Sequence, residues 1–154
     1  MKLLAGLITP TSGQIWTWKG VEIAYVSQDQ CLFARSIREN VSFGAKTPPS
    51  DEAMWVALSK ACMDTFVRSL PNGLDEELTE GENMGSGGQL QRLHLAHLIC
   101  VWQNADLVLL DECLSALDET TPEIMIDQLE KFLHGKTAVV ITHHSLLDMT
   151  PKDP

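Results

Sequence analysis

Apolar residues fall along this chain in two rhythms, short unbroken runs and helix-spaced stripes, and the two alternate. Asp106 to Leu110, dominated by apolar residues, predicts a buried strand, and Thr137 to Thr142 a second apolar strand. Gln14 to Trp18 and Val21 to Val26 are β-rich runs parted by Lys19-Gly20, which predicts a short strand pair or a turn between two strands. Met1 to Leu7 reads as the tail of a helix, with Pro10 and Gly13 marking the turn that ends it.

Between the runs the spacing is helical. Ser36 to Asn40 predicts a short helix. Ser50, a good N-cap followed by Asp51 and Glu52, opens a longer one to about Leu70, with Met54, Leu58, Ala61 and Phe66 on its apolar face. Pro71-Asn72-Gly73 ends it. Gln89 to about Trp102 is the next helix, and Thr121-Pro122 start another that runs through about Leu133 to a Gly135 cap. Strand, helix and strand from Asp106 to Thr142 then spell a right-handed crossover joining a parallel pair. In open α/β sheets the ligand crevice lies outside the carboxyl ends of the strands, so Gln28, Asp111, Glu112 and His143 are expected at one edge.

The length of 154 residues predicts one domain. A formal charge of −10 argues against a nucleic-acid duplex or an anionic lipid surface as the main partner, so any phosphate ligand has to be held by local geometry. The acids Asp75, Glu76, Glu77, Glu80 and Glu82 read as a solvated loop. Cys31, Cys62, Cys100 and Cys113 form no C-x-x-C pair and sit in apolar contexts, which predicts reduced thiols and a reducing, cytosolic setting. No run approaches the ~18 apolar residues of a bilayer span. The apolar start stops at Thr9-Pro10 with no small-residue cleavage pattern and is not read as a signal peptide.

Two segments carry chemistry. Gly85-Ser86-Gly87-Gly88-Gln89-Leu90-Gln91-Arg92 is a Gly-rich turn opening a helix, where unpaired N–H groups and the helix dipole favour an anion. Leu107 to Leu110 ends in Asp111-Glu112, which places one acid to hold a hard cation such as Mg²⁺ and the next to polarise a water. No G-x-x-x-x-G-K-[ST] cradle for phosphates occurs. His94 and His97, one helical turn apart, make a zinc site with Cys100 or Cys113 a formal alternative; the bland account has His94 on the surface and His97 partly buried.

In order along the chain, Tyr25-Val26-Ser27-Gln28 with Leu32-Phe33 and Ile37-Arg38-Glu39-Asn40, then Ser86-Gly87-Gly88-Gln89 with Gln91-Arg92, Leu109-Leu110-Asp111-Glu112, Ser115-Ala116-Leu117-Asp118 and Thr142-His143 resemble the nucleotide-binding domain of an ATP-binding cassette (ABC) transporter, and most of all its exporter branch. The resemblance implies that Gln28 is the Q-loop glutamine, sensing Mg²⁺ and the lytic water and touching the coupling helix of the membrane domain. It makes Ser86, Gly87, Gly88 and Gln89 the signature loop that closes on ATP held by an opposing subunit, and Asp111 the Walker B acid on Mg²⁺. Glu112 is then the general base, Asp118 part of the D-loop crossing the dimer interface, and His143 the switch histidine on the γ-phosphate.

The fold class so implied is α/β: a P-loop NTPase-like ABC ATPase core with parallel strands plus a helical signature subdomain, missing its N-terminal strands. Residues 1–154 form a single partial domain whose helical subregion spans about 36–103. Leu3-Leu4-Ala5-Gly6-Leu7 resembles the helix just after Walker A, so the chain is expected to begin mid-domain. Gly85 replaces a usual leucine, and His97 a usual arginine. The implied function is an ATP-binding and ATP-hydrolysing module coupled to export, with ATP and Mg²⁺ as cofactors. Its implied partners are a transmembrane domain and a second nucleotide-binding domain head to tail, at the cytoplasmic face of a membrane. Without Walker A the chain is expected to be inactive alone. The alternative is a non-catalytic module that donates its signature loop in trans.

Overall fold

The computed structural model describes residues 1–27, 32–79, 87–112 and 123–141. At its centre is a parallel sheet of β1 (Ile23–Val26), β2 (Leu107–Asp111) and β3 (Thr137–Ile141), in that spatial order. Tyr25 stands opposite Leu109, and Leu110 opposite Val140. β2 takes the middle because it is the most continuously apolar strand. Val108, Leu109 and Leu110 are buried, as a strand paired on both sides and covered on both faces requires. The crossover helix α5 (Glu123–Leu133) adds Met125, Leu129 and Leu133, spaced four apart on one face, to the same core. Gly135, at φ +76, then turns the chain into β3.

Between β1 and β2 lie α1 (Ile37–Ser42), α2 (Asp51–Lys60), α3 (Asp64–Ser69), a 3₁₀ turn at Gly73–Asp75, and α4 (Gly87–Val101). α4 packs on α1 and α2, and Leu93, Ala96, Leu98 and Ile99 join Val41, Met54, Ala57 and Leu58 in one cluster. Ser36 caps α1 in a reciprocal capping box with Glu39, and Ser50 caps α2 by accepting from the Ala53 N–H. Arg38 binds both Asp51 and Asp75, tying α1, α2 and the 3₁₀ turn together; its hydrogen bonds hold both carboxyls below their ordinary range.

Three expected elements take another form. Met1 to Leu7 makes successive turns, with Ala5 N–H donating to the Met1 carbonyl and Gly6 N–H to that of Leu3, each at about 3 Å. Leu3, Leu4 and Leu7 are exposed there, so no buried apolar face offsets the cost of nucleating a helix. Gln14 to Trp18 forms no strand; Trp16 is 84% exposed, and β1 stands without the expected partner run. The helix expected from Ser50 to Leu70 breaks in two at Cys62, which adopts φ +54 and swings Met63 into the core. Thr121, Pro122 and Thr142 lie outside the described residues.

Candidate functional site

All three strands run parallel, so their carboxyl ends share an edge, with Val26 beside Leu110 and Asp111 beside Ile141. Asp111 closes β2 and is half-buried. Glu112 leaves the strand at φ +48, a left-handed conformation that costs a side-chain-bearing residue about 1 kcal/mol. Its N–H donates to the Ile141 carbonyl at 2.9 Å, so pairing with β3 holds the backbone there. The arrangement offers a hard oxygen donor at the sheet edge with a second carboxylate residue next to it, which suits Mg²⁺.

Tyr25 was not singled out for a site role in the sequence. Its hydroxyl donates to Asp111 Oδ2 at 3.4 Å. Tyr25 pairs with Leu109, and Asp111 lies two residues further along the same face, the diagonal reach of an aromatic side chain. The available signal was that period of two, read across strands whose register the sequence does not state.

Gly87 and Gly88 are the first residues of α4. A Cβ on Gly87 would meet nothing within 4 Å, and one on Gly88 only the end of the Arg92 side chain at 3.8 Å. Glycine within a helix costs roughly 0.5–1 kcal/mol against alanine, and internal packing gives no reason for it at either position. Arg92 Nε donates to the Gly88 carbonyl at 3.1 Å, fixing the first turn, and Gln89 is half-buried on the same turn. Gln28, Ser86, Asp118 and His143 lie outside the described residues, as do Gly85 and Ser115 to Leu117.

Beside β1, a groove of about 370 Å³ runs between the strand end, α1 and α4, with Tyr25, Phe33, Phe43, His94, His97 and Trp102 among its walls. His97 Nδ1 lies 3.3 Å from the Val41 carbonyl, whereas His94 Nε2 is buried with no hydrogen-bond partner among the described residues. Burial lowers the His94 pKa to about 4, with His97 adding to the effect, and burial also pulls His97 below its ordinary value. The expectation that His94 is a surface residue is therefore corrected: α4 turns it into the groove wall. No group of three metal-ligating side chains forms among the described residues, and burial raises the Cys100 thiol. Cys113 lies outside them.

The family described as "ABC transporter" matches residues 1–115. The chain is 38% identical over 128 residues to multidrug resistance protein 1 of Entamoeba histolytica, covering 82% of this chain and 10% of that protein. It is 32% identical over 153 residues to the multidrug resistance ABC transporter ATP-binding and permease protein of Lactococcus lactis subsp. lactis, covering 92% of this chain and 25% of that protein. The chain thus spans between a tenth and a quarter of these relatives' lengths. Among solved structures, that of a bacterial Atm1-family ABC exporter with ATP bound superimposes with a TM-score of 0.68 at 29% identity, over 79% of this chain and 21% of that one. The parallel sheet is accordingly that of a P-loop NTPase-like ABC core. No described helix is long and apolar enough to cross a membrane. With sequence matched over most of its length and a backbone matched to an exporter, this chain belongs to the ABC transporter family.

Proposed function

We propose that the chain is the ATP-handling part of an exporter, one partial nucleotide-binding domain over 1–154 with a helical subregion at about 36–103. The observation that carries this is Asp111-Glu112 at the carboxyl edge of the middle strand, flanked by β1 and β3, whose last residues precede Gln28 and His143 in the sequence by two positions. In this reading Asp111, with Gln28, holds Mg²⁺, which when bound would neutralise phosphate charge. Glu112 takes the proton from the attacking water, and His143 contacts the terminal phosphate. Ser86, Gly87, Gly88 and Gln89 face ATP held by a second domain, with Asp118 at that interface. In the same reading a transmembrane partner sits against the groove beside β1, and the module lies on the cytoplasmic face of the membrane. The Lactococcus lactis relative, a multidrug resistance ABC transporter ATP-binding and permease protein, supports that partner.

The glycines favour a second reading, in which the chain acts by donating the signature loop in trans. Nothing inside the described structure fills the space beside Gly87, so the residue is suited to close approach from outside. The signature role and ATP hydrolysis by the chain itself separate in one experiment. MgATP binding and hydrolysis are measured on the chain alone and mixed with a nucleotide-binding domain whose phosphate-binding loop is intact but whose signature is disabled. Hydrolysis that appears only in the mixture and vanishes in Ser86→Arg establishes donation in trans. Turnover by the chain alone that needs Glu112 establishes an autonomous ATPase. Absence of nucleotide binding and turnover in both samples refutes donation in trans and autonomous turnover alike, and marks the chain as an inert part of a larger transporter.

A further inference from the structure

We infer that Tyr25 is a positioning residue for Asp111: its hydroxyl holds Oδ2 of the carboxylate and leaves the other oxygen to a divalent cation. The inference rests on the reading of Asp111 as the cation ligand and extends it to a residue of a different strand. Three observations carry it. Tyr25 Oη lies 3.4 Å from Asp111 Oδ2, in the direction of donation to a carboxylate. The parallel register sets that contact, since Tyr25 is paired with Leu109 and meets Asp111 on the diagonal; a slip of one residue would carry the phenol to the other face. The ring also forms one wall of the groove with Phe33, Phe43, His94 and Trp102, beside the sheet edge that carries Asp111.

A carboxylate that ligates through one oxygen rotates freely unless the other is engaged. A hydrogen bond to that second oxygen fixes the plane of the group, and losing such a partner commonly lowers metal affinity by about 10- to 100-fold. At 3.4 Å the bond is long for an O–H···O contact. Because the same ring walls the groove, whatever fills the groove presses on the group that aims Asp111.

Tyr25 is the one tyrosine in the chain, so biosynthetic 3-fluorotyrosine gives a single ¹⁹F resonance that needs no assignment. The 154-residue chain is labelled and titrated with Mn²⁺ alone, and Mn²⁺ affinity is measured separately by electron paramagnetic resonance. Circular dichroism verifies that each variant is folded. The expected result has three parts: Asp111→Asn shifts the resonance without metal, Mn²⁺ broadens the line in the parent but not in Asp111→Asn, and Tyr25→Phe weakens Mn²⁺ binding about tenfold. Tyr25→Phe keeps the ring and removes one oxygen, so the groove wall stays filled. A resonance indifferent to Asp111→Asn, or unchanged Mn²⁺ affinity in Tyr25→Phe, overturns the role of Tyr25 alone. A parent line that Mn²⁺ leaves sharp overturns the cation role of Asp111 and the inference with it, a failure recognisable because it precedes any variant.

Discussion

Asn40 shows how much one side chain can organise. Its Oδ1 accepts from the Phe33 N–H at 2.8 Å, and its Nδ2 donates to the carbonyls of Phe33, Arg35 and Ser36, all from a position 6% exposed. Asn40→Leu fills similar volume but leaves those backbone groups without partners, and urea denaturation is expected to show a loss of about 2–4 kcal/mol. His94 works in the opposite sense. Its pKa falls from 6.5 to about 4 because burial disfavours the imidazolium. The unfolded chain therefore binds more protons than the folded one between those values, so stability is complete above about pH 6.5 and declines as pH drops toward 4. His94→Leu is expected to flatten that part of the stability curve, read by denaturant midpoints at a series of pH values; a slope as steep as the parent's would refute the buried neutral form. The sequence offered Asn40 as one more helical position and His94 as a surface one, because neither spacing nor composition states which face a neighbouring helix covers.

Elements were legible where the local signal and the packing agree. Ser50 ahead of two acids was readable as an N-cap and Ser36 to Asn40 as a short helix; both serines accept a backbone N–H, and the structure adds the reciprocal pairing of Ser36 with Glu39. Ser36→Ala should cost about 1 kcal/mol in thermal or chemical unfolding, and Glu39→Ala should show part of the same loss, because the two groups cap each other. The strands Leu107–Asp111 and Thr137–Ile141 were readable for the same reason, their apolar runs being matched by burial or pairing. Gln14 to Trp18 was not, since alternation along a strand is realised only beside a partner, and Trp16 is left 84% exposed. The break at Cys62 also escaped the spacing. An unbroken helix keeps the apolar stripe, yet the left-handed residue lets Met63 bury completely, a gain that exists only once the rest of the core is assembled.

At the scale of the whole molecule the outstanding feature is apolar surface. Among the described residues β3 pairs on one side only, and Val139 and Ile141 are 37% and 42% exposed, joined by Leu7, Ile8, Trp16 and Trp18 elsewhere. A parallel edge with exposed β-branched residues is a template for further pairing. Sedimentation velocity is expected to show concentration-dependent self-association of the chain, and Val139→Lys to reduce it with little change in helix content; a monomeric parent at high concentration would refute the edge as the cause. The charge of −10 opposes association at low salt, so raising the salt concentration should promote it.

The sequence by itself determined the class of the fold, the order of its main elements, the two acids at the end of β2 and the family, because each is written in a contiguous run of residues whose chemistry acts locally. Tertiary structure decided the rest. That Tyr25 meets Asp111 follows from the register of β1 on β2, residues 86 apart along the chain. That His94 is neutral follows from α4 lying against the groove, and that Glu112 holds a left-handed backbone follows from β3 receiving its N–H. Contacts between distant segments depend on register and facing, and these are settled only when the apolar faces find one another and exclude water.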